Sequence, residues 1–337
     1  MLKGHGDDLY RYNSQIDYNF SSNVYYKGCK KLLLEAISNA IQTIENYPSP
    51  IARELNVLAA DKFNLNSNQF LFTNGAVEAF YLIAQLYKNK RATITSPTFS
   101  EYEDACKINQ LECCFADREA IEFTNFDSEL VFICNPNNPD GKILELDKIQ
   151  RLLSTHPQTH FIIDEAYIEF SNQVETAVPL INLYTNLTIV RSLTKTFAIP
   201  GLRLGYIISN SNFIKEVLTY KMPWSVNSLA IKGGQFIFEN YEKLAFDAEA
   251  LFNETEQFKQ QLKKIEWLEI IPGTTSYFLV KLKNRKASSL KNYLIEKHQI
   301  LIRDATNFTG LQGEYIRLAV QSQTANNKLI KALKEWN

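Results

Sequence analysis

A lysine, two hydroxyl side chains and an arginine stand close together in the segment IVRSLTKTFAIPGLRLGYII, which begins at Ile189. Lys195 taken alone is typical of a solvated surface lysine, as nearly all lysines are. Its neighbours indicate a different setting, since Ser192 and Thr194 offer hydroxyl groups beside it and Arg203 offers a planar guanidinium. Such a set suits a phosphate monoester held next to an amine that can form a Schiff base.

A carboxylate and a phenol follow a second apolar run, FIIDEAY, in which Asp164 comes at the end and Tyr167 three residues later. A buried carboxylate is costly unless a partner keeps it ionised. The protonated ring nitrogen of pyridoxal 5′-phosphate is such a partner, because the ring withdraws electrons only while an acidic group stabilises that charge. The alternative is an ordinary helix N-cap, where Asp is common.

Three other segments could surround such a ring. TNGAVEA, around Gly75, predicts a helix start whose free amides favour phosphate, although Asn-Gly is also ordinary in turns. SPTFSEYE follows a strand and places Tyr102 where it could cover a planar ring, or where it could simply pack. CNPNNPDGKI must be a shaped loop, in which Asn137 or Asn138 could donate an amide hydrogen bond.

The elements that must position these residues are short apolar runs alternating with segments of helical period. This pattern predicts an α/β fold with a mostly parallel, seven-stranded sheet, and ligands collect at the carboxyl ends of such strands. The expected strands are Phe70–Thr73, Ala92–Thr95, Leu111–Phe115, Leu130–Cys134, Phe161–Asp164, Thr188–Arg191 and Gly205–Ile208.

The sequence pattern changes after Pro223, because residues 230–264 are rich in helix-forming residues and have no strand signal. They predict one or two long helices. A smaller α+β domain is expected beyond them, with strands at 268–271, 276–281, 300–303 and 315–320 and helices at 287–297 and 326–335. We therefore predict an N-terminal arm at residues 1–40, a large domain at 41–235 and a small domain at 236–337.

Composition excludes several classes of protein. The 337 residues carry 36 Lys and Arg against 37 Asp and Glu, and no block of like charge predicts binding to nucleic acid or to a membrane. The five cysteines form no C-x-x-C pair, so neither a disulfide framework nor a metal site is expected. A polar N-terminus predicts a cytoplasmic protein, and a small molecule is the expected partner.

Two rival functions lack their sequence signals. A nicotinamide-dependent oxidoreductase would need a G-x-G-x-x-G turn after a strand, and the sequence contains none. A ligand-sensing transcription regulator would need a DNA-binding module, yet about 40 residues precede the first fold motif and they include no basic recognition helix.

Six motifs in order resemble the fold-type I, class I/II aminotransferase superfamily of pyridoxal-phosphate enzymes: TNGAVEA, PTFSEY, NPNNPDG, DEAY, SLTKTFAIPGLRLGY and YIRLAVQS. The likeness is greatest to the branch of threonine-phosphate decarboxylases and histidinol-phosphate aminotransferases. Four features resemble the decarboxylases: His5-Gly6, IDYNFSSNV, PWSVNSLA and LIRDATNFTGLQGEYIRLAV. The resemblance implies an aminotransferase-like large domain, pyridoxal 5′-phosphate as cofactor and a homodimer.

The resemblance also implies a role for each matching residue. Lys195 would carry the cofactor as a Schiff base, Asp164 would pair with the pyridinium nitrogen, and Tyr102 would stack on the ring. The other roles concern the ring oxygen, the cofactor phosphate and the substrate. Tyr167 and Asn138 would hold the ring's phenolic oxygen; Gly75, Ala76, Ser192, Thr194 and Arg203 would hold the phosphate, with Tyr47 from the neighbouring subunit; Arg317 would bind the substrate carboxylate; and Arg303, His5 and Asn23 would meet a substrate phosphate.

Two positions depart from the family pattern, and the reaction itself stays open. Asp140 replaces the usual Thr of NPNNPTG, and Asp7-Asp8 follow His5-Gly6 where like charge could repel phosphate. The same residues serve decarboxylation and transamination, because the Cα bond perpendicular to the ring decides which one occurs. The expected substrate is a small phosphorylated amino acid, with L-threonine O-3-phosphate preferred, and the alternative is transamination of histidinol phosphate or another amino acid.

Overall fold

The computed structural model describes residues 6–12 and 15–336. Its strands are β1 Tyr18–Asn19, β2 Phe70–Asn74, β3 Arg91–Ser96, β4 Glu112–Asp117, β5 Leu130–Cys134, β6 His160–Asp164, β7 Leu187–Ser192, β8 Leu204–Ser209, β9 Leu268–Ile270, β10 Tyr277–Leu282, β11 Ile300–Leu301, β12 Arg303–Asp304 and β13 Tyr315–Ala319. Its α-helices are α1 Lys31–Asn39, α2 Arg53–Phe63, α3 Gly75–Leu86, α4 Glu101–Ile108, α5 Leu146–Thr155, α6 Leu193–Thr196, α7 Ser211–Leu218, α8 Ser228–Glu239, α9 Tyr241–Leu244, α10 Ala248–Leu262, α11 Ala287–His298 and α12 Gln323–Glu335.

The large sheet contains seven strands in the order β2-β8-β7-β6-β5-β3-β4. Strands β4, β3, β5, β6 and β7 pair in parallel, and β8 runs antiparallel to both β7 and β2. This topology confirms the predicted α/β class with a mostly parallel sheet. The predicted strand positions agree with the observed strands to within one or two residues.

The central strands are apolar on both faces because helices cover both sides of the sheet. Along β5, Leu130 and Phe132 belong to one apolar cluster, which includes Phe80 of α3. The alternating residues Val131 and Ile133 belong to the opposite cluster. Successive side chains of a strand point to opposite faces, so an unbroken apolar run is the expected signature of a strand buried on both sides.

A smaller antiparallel sheet, in the order β12-β13-β10-β9, lies in the C-terminal third of the chain. It shares one apolar core with helices α10, α11 and α12, and Phe278, Leu294 and Leu329 are fully buried there. The region predicted as one or two long helices contains α8, α9 and α10, with α9 only four residues long.

The segment expected as an N-terminal arm divides between the two cores. Strand β1 pairs in parallel with β11 of the C-terminal part, and Phe20 joins the core there. Helix α1 packs against α8 instead, and its Leu33 is buried in the core of the large sheet. The predicted boundary at residue 40 stays a prediction.

The described residues contain neither a membrane-spanning helix nor a cluster of metal ligands. Within residues 6–12 and 15–336 no helix combines the length and the apolar character that crossing a membrane requires. The same residues contain no group of three His, Cys, Asp or Glu side chains arranged to hold a metal ion.

Candidate active site

Two adjoining cavities lie at the carboxyl ends of strands β5, β6 and β7. The inner cavity has a volume of about 100 Å³ and the outer one about 330 Å³. Parallel strands release their chains at the same edge of a sheet, so the polar residues that follow them converge there. Six residues line both cavities: Val77, Phe99, Asn138, Tyr167, Lys195 and Arg203.

Lys195 lies in the short helix α6, directly after β7, and its side chain borders both cavities. Burial is the main cause that lowers the pKa of its amine to about 8, and the positive charges of Arg317 and Arg203 contribute to this value. A lysine with a depressed pKa is a better nucleophile near neutral pH than a solvated lysine.

Asp164 ends β6 and is buried at the base of the inner cavity. Its carboxylate accepts hydrogen bonds from the Tyr102 hydroxyl at 2.5 Å and from the Ala166 amide at 2.9 Å. Burial raises the pKa of Asp164 to about 6, although these two hydrogen bonds favour the ionised form. A cation placed in the inner cavity would stabilise this carboxylate further.

A cradle of the kind that holds phosphate lies where α3 begins. Ala76, Ser192, Thr194 and Arg203 line the inner cavity, and the two hydroxyl groups lie 2.8 Å apart. Gly75 has a φ of +75°, and a Cβ on it would overlap the Arg203 guanidinium. The backbone amides at this helix start, two hydroxyls and a guanidinium are the groups that bind a phosphate dianion.

Phe99, not Tyr102, borders both cavities. Tyr102 is fully buried behind them, with its ring stacked on Phe132 at 5.2 Å and its hydroxyl on Asp164. Phe99 is therefore the aromatic residue of this segment that borders the cavities, and the Tyr102 hydroxyl supports Asp164 from behind. A sequence signal existed, since Phe99 stands in the same SPTFSEYE segment, nearer the end of β3.

Asn138 and Tyr167 both line the region where the two cavities meet. The side-chain oxygen of Asn138 accepts a hydrogen bond from Arg317 Nη1 at 2.6 Å, which leaves its amide nitrogen able to donate. Burial raises the pKa of Tyr167 to about 12, so its hydroxyl keeps its proton near neutral pH and can donate as well.

Two arginines line the outer cavity from adjacent strands of the small sheet. Arg303 of β12 lies directly opposite Arg317 of β13 in an antiparallel pair, so both side chains stand on one face. Burial lowers the pKa of both guanidinium groups, and the charge of Arg317 contributes to the value of about 10 for Arg303. Arg303 Nη2 donates to Asn307 at 2.6 Å, and Arg317 Nη2 donates to the Ser21 carbonyl at 2.5 Å.

Asn23 also lines the outer cavity, and it is only 5% exposed. Within residues 6–12 and 15–336, its amide lies near the Tyr167 hydroxyl and opposes the rise in the pKa of that phenol, but it forms no hydrogen bond of ordinary geometry. Buried amides are normally paired, so this side chain is expected to meet a ligand. His5, the remaining predicted substrate residue, lies outside the described residues.

The N-terminal segment forms one wall of the outer cavity through Gly6 and Asp7. A Cβ on Gly6 would lie 2.9 Å from Arg317 Nη2, so the chain passes close to this guanidinium. The Asp7 carboxylate accepts from the Asn19 side chain at 2.6 Å. Asp8 is buried away from the cavity and pairs with Lys291 at 3.1 Å, so only one of the two predicted acidic residues faces the site.

Tyr47 lies outside both cavities and is 86% exposed. Its ring lies 5.2 Å from that of Trp224 at the edge of a surface depression of about 600 Å³. The chain therefore does not bring Tyr47 to its own site.

The inner cavity suits pyridoxal 5′-phosphate in each of its chemical parts. A phosphate cradle lies at one end, a buried carboxylate for a ring cation lies at the base, and an amine of lowered pKa lies beside them. The overlap that a Cβ on Gly75 would cause shows that this cradle admits no larger residue there.

Comparisons with known proteins agree with this geometry. Residues 15–333 match the family model described as aminotransferase class I and II. Threonine-phosphate decarboxylase of Salmonella typhimurium is 30% identical over 94% of this chain and 90% of its own. Histidinol-phosphate aminotransferase of Caldanaerobacter subterraneus is 32% identical over 86% of this chain and 84% of its own. The crystal structure of L-threonine-O-3-phosphate decarboxylase from Porphyromonas gingivalis superposes with a TM-score of 0.91 at 38% identity, covering 94% of this chain and 98% of that one. The chain therefore belongs to the class I and II aminotransferase family and is an enzyme that uses pyridoxal 5′-phosphate.

Proposed function

We propose that this enzyme decarboxylates a small phosphorylated amino acid, with L-threonine O-3-phosphate as the substrate. The observation that carries the proposal is the pair Arg303 and Arg317, buried side by side next to Lys195 in the outer cavity. Two neighbouring buried cations destabilise each other until an anion joins them. A substrate with both a carboxylate and a phosphate supplies one anion for each arginine.

The proposed substrate roles follow from the position of each arginine. Arg317 would bind the carboxylate, because Asn138 and the Ser21 carbonyl already orient its guanidinium beside the inner cavity. Arg303 would bind the phosphate, with the buried side chain of Asn23 as a second contact. His5 stays a predicted contact.

The proposed cofactor roles use the groups around the inner cavity. Lys195 would hold the cofactor covalently, and Asp164 would pair with its ring nitrogen. The ring would lie against Phe99, with its phenolic oxygen near Tyr167 and Asn138. The phosphate would lie among the amides of Gly75 and Ala76, the hydroxyls of Ser192 and Thr194, and Arg203.

The chemistry then depends on what the protein groups fix and move. When bound, the cofactor supplies an electron sink that weakens the bonds at the substrate Cα. Arg303 and Arg317 together fix the rotation of the substrate, and this rotation selects the carboxylate or the hydrogen as the group that leaves. Lys195, with a pKa of about 8, is suited to deliver a proton to Cα after carbon dioxide departs. Phe99 and Phe308 line the cavity and reduce contact with water.

Transamination is the second candidate function, and the 32% identity to a histidinol-phosphate aminotransferase favours it. The same arginines would then bind the histidinol phosphate and the acidic acceptor in turn. The two reactions differ in their products and in their need for a keto acid.

The test is incubation of the purified yellow protein with L-threonine phosphate and, separately, with histidinol phosphate plus 2-oxoglutarate. Carbon dioxide released without a keto acid is the result expected for a decarboxylase. Glutamate formed without carbon dioxide would assign the enzyme to the transaminases. If neither product formed, both substrates would be rejected.

A homodimer is the proposed assembly. Apolar side chains are exposed on one stretch of the chain and on the loop that contacts it: Leu32, Leu34, Ile41, Ile44, Tyr47, Met222 and Trp224. Such a concentration of exposed apolar groups is typical of a surface that another chain covers. In the proposed dimer Tyr47 reaches the cofactor phosphate of the neighbouring subunit. The cytoplasmic location stays a prediction from the sequence.

A further inference from the structure

The loop of residues 135–142 carries Asn138 into the active site and contains the departure from the family pattern at Asp140. Asp140 is only 4% exposed and lines neither cavity. A carboxylate is seldom buried unless it has partners, so its contacts indicate why this position tolerates the charge.

The Asp140 carboxylate forms hydrogen bonds within the loop. Its Oδ1 accepts hydrogen bonds from the Asn137 side chain at 2.7 Å and from the Lys142 amide at 3.2 Å. Asn137 is fixed on its other sides as well, by the Pro97 carbonyl at 2.9 Å and the Thr98 hydroxyl at 2.9 Å. Asp140 thus completes the hydrogen bonding of a fully buried amide.

Arg118, a buried cation outside the loop, also forms hydrogen bonds with it. Arg118 Nη1 donates to the Cys134 carbonyl at 2.8 Å, and Nη2 donates to the Asn135 side chain and the Lys142 carbonyl at 3.3 Å each. These acceptors are all neutral. Burial lowers the pKa of Arg118, and the negative charge of Asp140 is the largest influence that opposes the change. The loop therefore contains one buried anion, Asp140, and accepts hydrogen bonds from one buried cation, Arg118.

The residue between these anchors is Asn138, whose side-chain oxygen accepts from Arg317 Nη1. We infer that Asp140 is a positioning residue for substrate binding: it fixes Asn137, so that the adjacent Asn138 orients Arg317. The inference rests on the proposed function, in which Arg317 binds the substrate carboxylate. Asp140 itself touches neither substrate nor cofactor.

Three substitutions separate the hydrogen bonds of Asp140 from its charge. Asp140→Asn keeps an acceptor oxygen and removes the charge that faces Arg118. Asp140→Thr restores the residue usual in the family, and Asp140→Ala removes both properties. Asp147→Ala is the matched control. Asp147 is an exposed carboxylate near the same loop, and it forms an ion pair with Arg151.

The measurement is steady-state kinetics of the holoenzyme with L-threonine phosphate, together with the absorption of the bound cofactor. We expect Asp140→Ala to raise KM about tenfold, which corresponds to the lower part of the range for an unpaired buried polar group, with the absorption of the bound cofactor changed much less. Asp140→Asn should raise KM less than Asp140→Ala, and Asp147→Ala should match the parent. An unchanged KM in Asp140→Ala, or a loss of the cofactor absorption in proportion to the loss of activity, would overturn the inference.

Coupling to Asn138 distinguishes positioning from a general loss of stability. If Asp140 acts through Asn138, then Asp140→Ala adds nothing to KM in an Asn138→Ala background, whereas independent effects multiply. Multiplied effects overturn the inference, and Asp140→Asn provides the same comparison if Asp140→Ala does not fold. Arg317→Ala is the reference: an unchanged KM there would reject the proposed role of Arg317, which is a separate failure.

Discussion

The most informative single residue is Lys195, because its surroundings set the pH at which its amine is free to react. Burial is the main cause of its lowered pKa, and the nearby Arg317 and Arg203 contribute their positive charges. A lysine in water has a pKa near 10.4 and is almost wholly protonated at neutral pH. The protein thus supplies a reactive amine without a dedicated base.

Reconstitution of the cofactor-free protein should follow the titration of this amine. Only neutral Lys195 attacks the cofactor aldehyde, so the rate should rise with pH and level off above pH 8 or so. Arg317→Gln removes a neighbouring cation, which raises the pKa of Lys195 and moves the midpoint to higher pH. Stopped-flow absorption, recorded from about pH 6 to about pH 10, measures the midpoint for the parent and for the variant. Arg285→Gln is the control, because Arg285 stacks between Trp267 and Trp336 outside the site. Equal midpoints in parent and Arg317→Gln would contradict the proposed electrostatic cause.

Arg303 should discriminate phosphorylated from unphosphorylated substrates. We expect Arg303→Ala to lower kcat/KM for L-threonine phosphate by about tenfold to a hundredfold, which is the range for a lost hydrogen bond to a charged group. Activity with L-threonine should change far less, since that substrate has no phosphate for Arg303 to bind. Arg285→Ala controls for the removal of an arginine from the same sheet region. Equal losses with both substrates would remove the phosphate assignment.

At the scale of elements, the start of α3 depends on a close approach by β8. A Cβ on Gly205 would lie 2.5 Å from the Ala76 nitrogen and 2.7 Å from the Gly75 carbonyl carbon. Only glycine leaves room for the helix start to lie against the strand at this point. The position of the phosphate cradle is therefore set by a missing side chain on the neighbouring strand.

Gly205→Ala should weaken cofactor binding by displacing the first turn of α3. Overpacking costs about 1–3 kcal/mol, so the dissociation constant of pyridoxal phosphate should rise about tenfold or more. Titration of the cofactor-free protein, followed by absorption, measures the constant. Gly201→Ala is the matched control, because no atom lies within 4 Å of the Cβ it would add. Parallel behaviour of the two variants would show that the close approach does not limit the cradle.

The same scale shows what the sequence could and could not predict. Lys195 and Asp164 follow buried strands, and the parallel rule brings strand ends together without any knowledge of distant contacts. Tyr102 lies on the buried face of α4 and packs on Phe132, so its ring borders neither cavity, and the local sequence does not reveal which side of the helix faces the site. The loop that contains Asp140 also depends on Pro97, Thr98 and Arg118, which lie far along the chain, and local patterns contain no signal for such contacts.

Viewed as a whole, the molecule has an almost balanced charge of −1 but a site rich in cations. The exposed Tyr47 is the residue whose proposed role needs a second copy of the chain. A site completed by another subunit makes activity a property of the assembly, not of the folded chain alone.

Mixing two inactive variants tests this assembly. Lys195→Ala lacks the reactive amine, and Tyr47→Ala should bind the cofactor weakly. After unfolding and refolding together in equal amounts, half of the dimers are hybrids with one intact site, so about a quarter of the parental activity should return. Each variant refolded alone is the control, and analytical ultracentrifugation reports the dimer. No recovery from refolded dimers would show that Tyr47 does not serve the neighbouring site.

The pairing of Arg303 with Arg317 has a consequence for protein engineering. The two strands are joined by residues 305–314, and a shift of one residue in their pairing would turn one arginine to the opposite face. Variant libraries that change the composition of this connection but keep its length can therefore reshape the cavity wall around Phe308 while both arginines stay on one face. Selection for new phosphorylated substrates should begin in this connection.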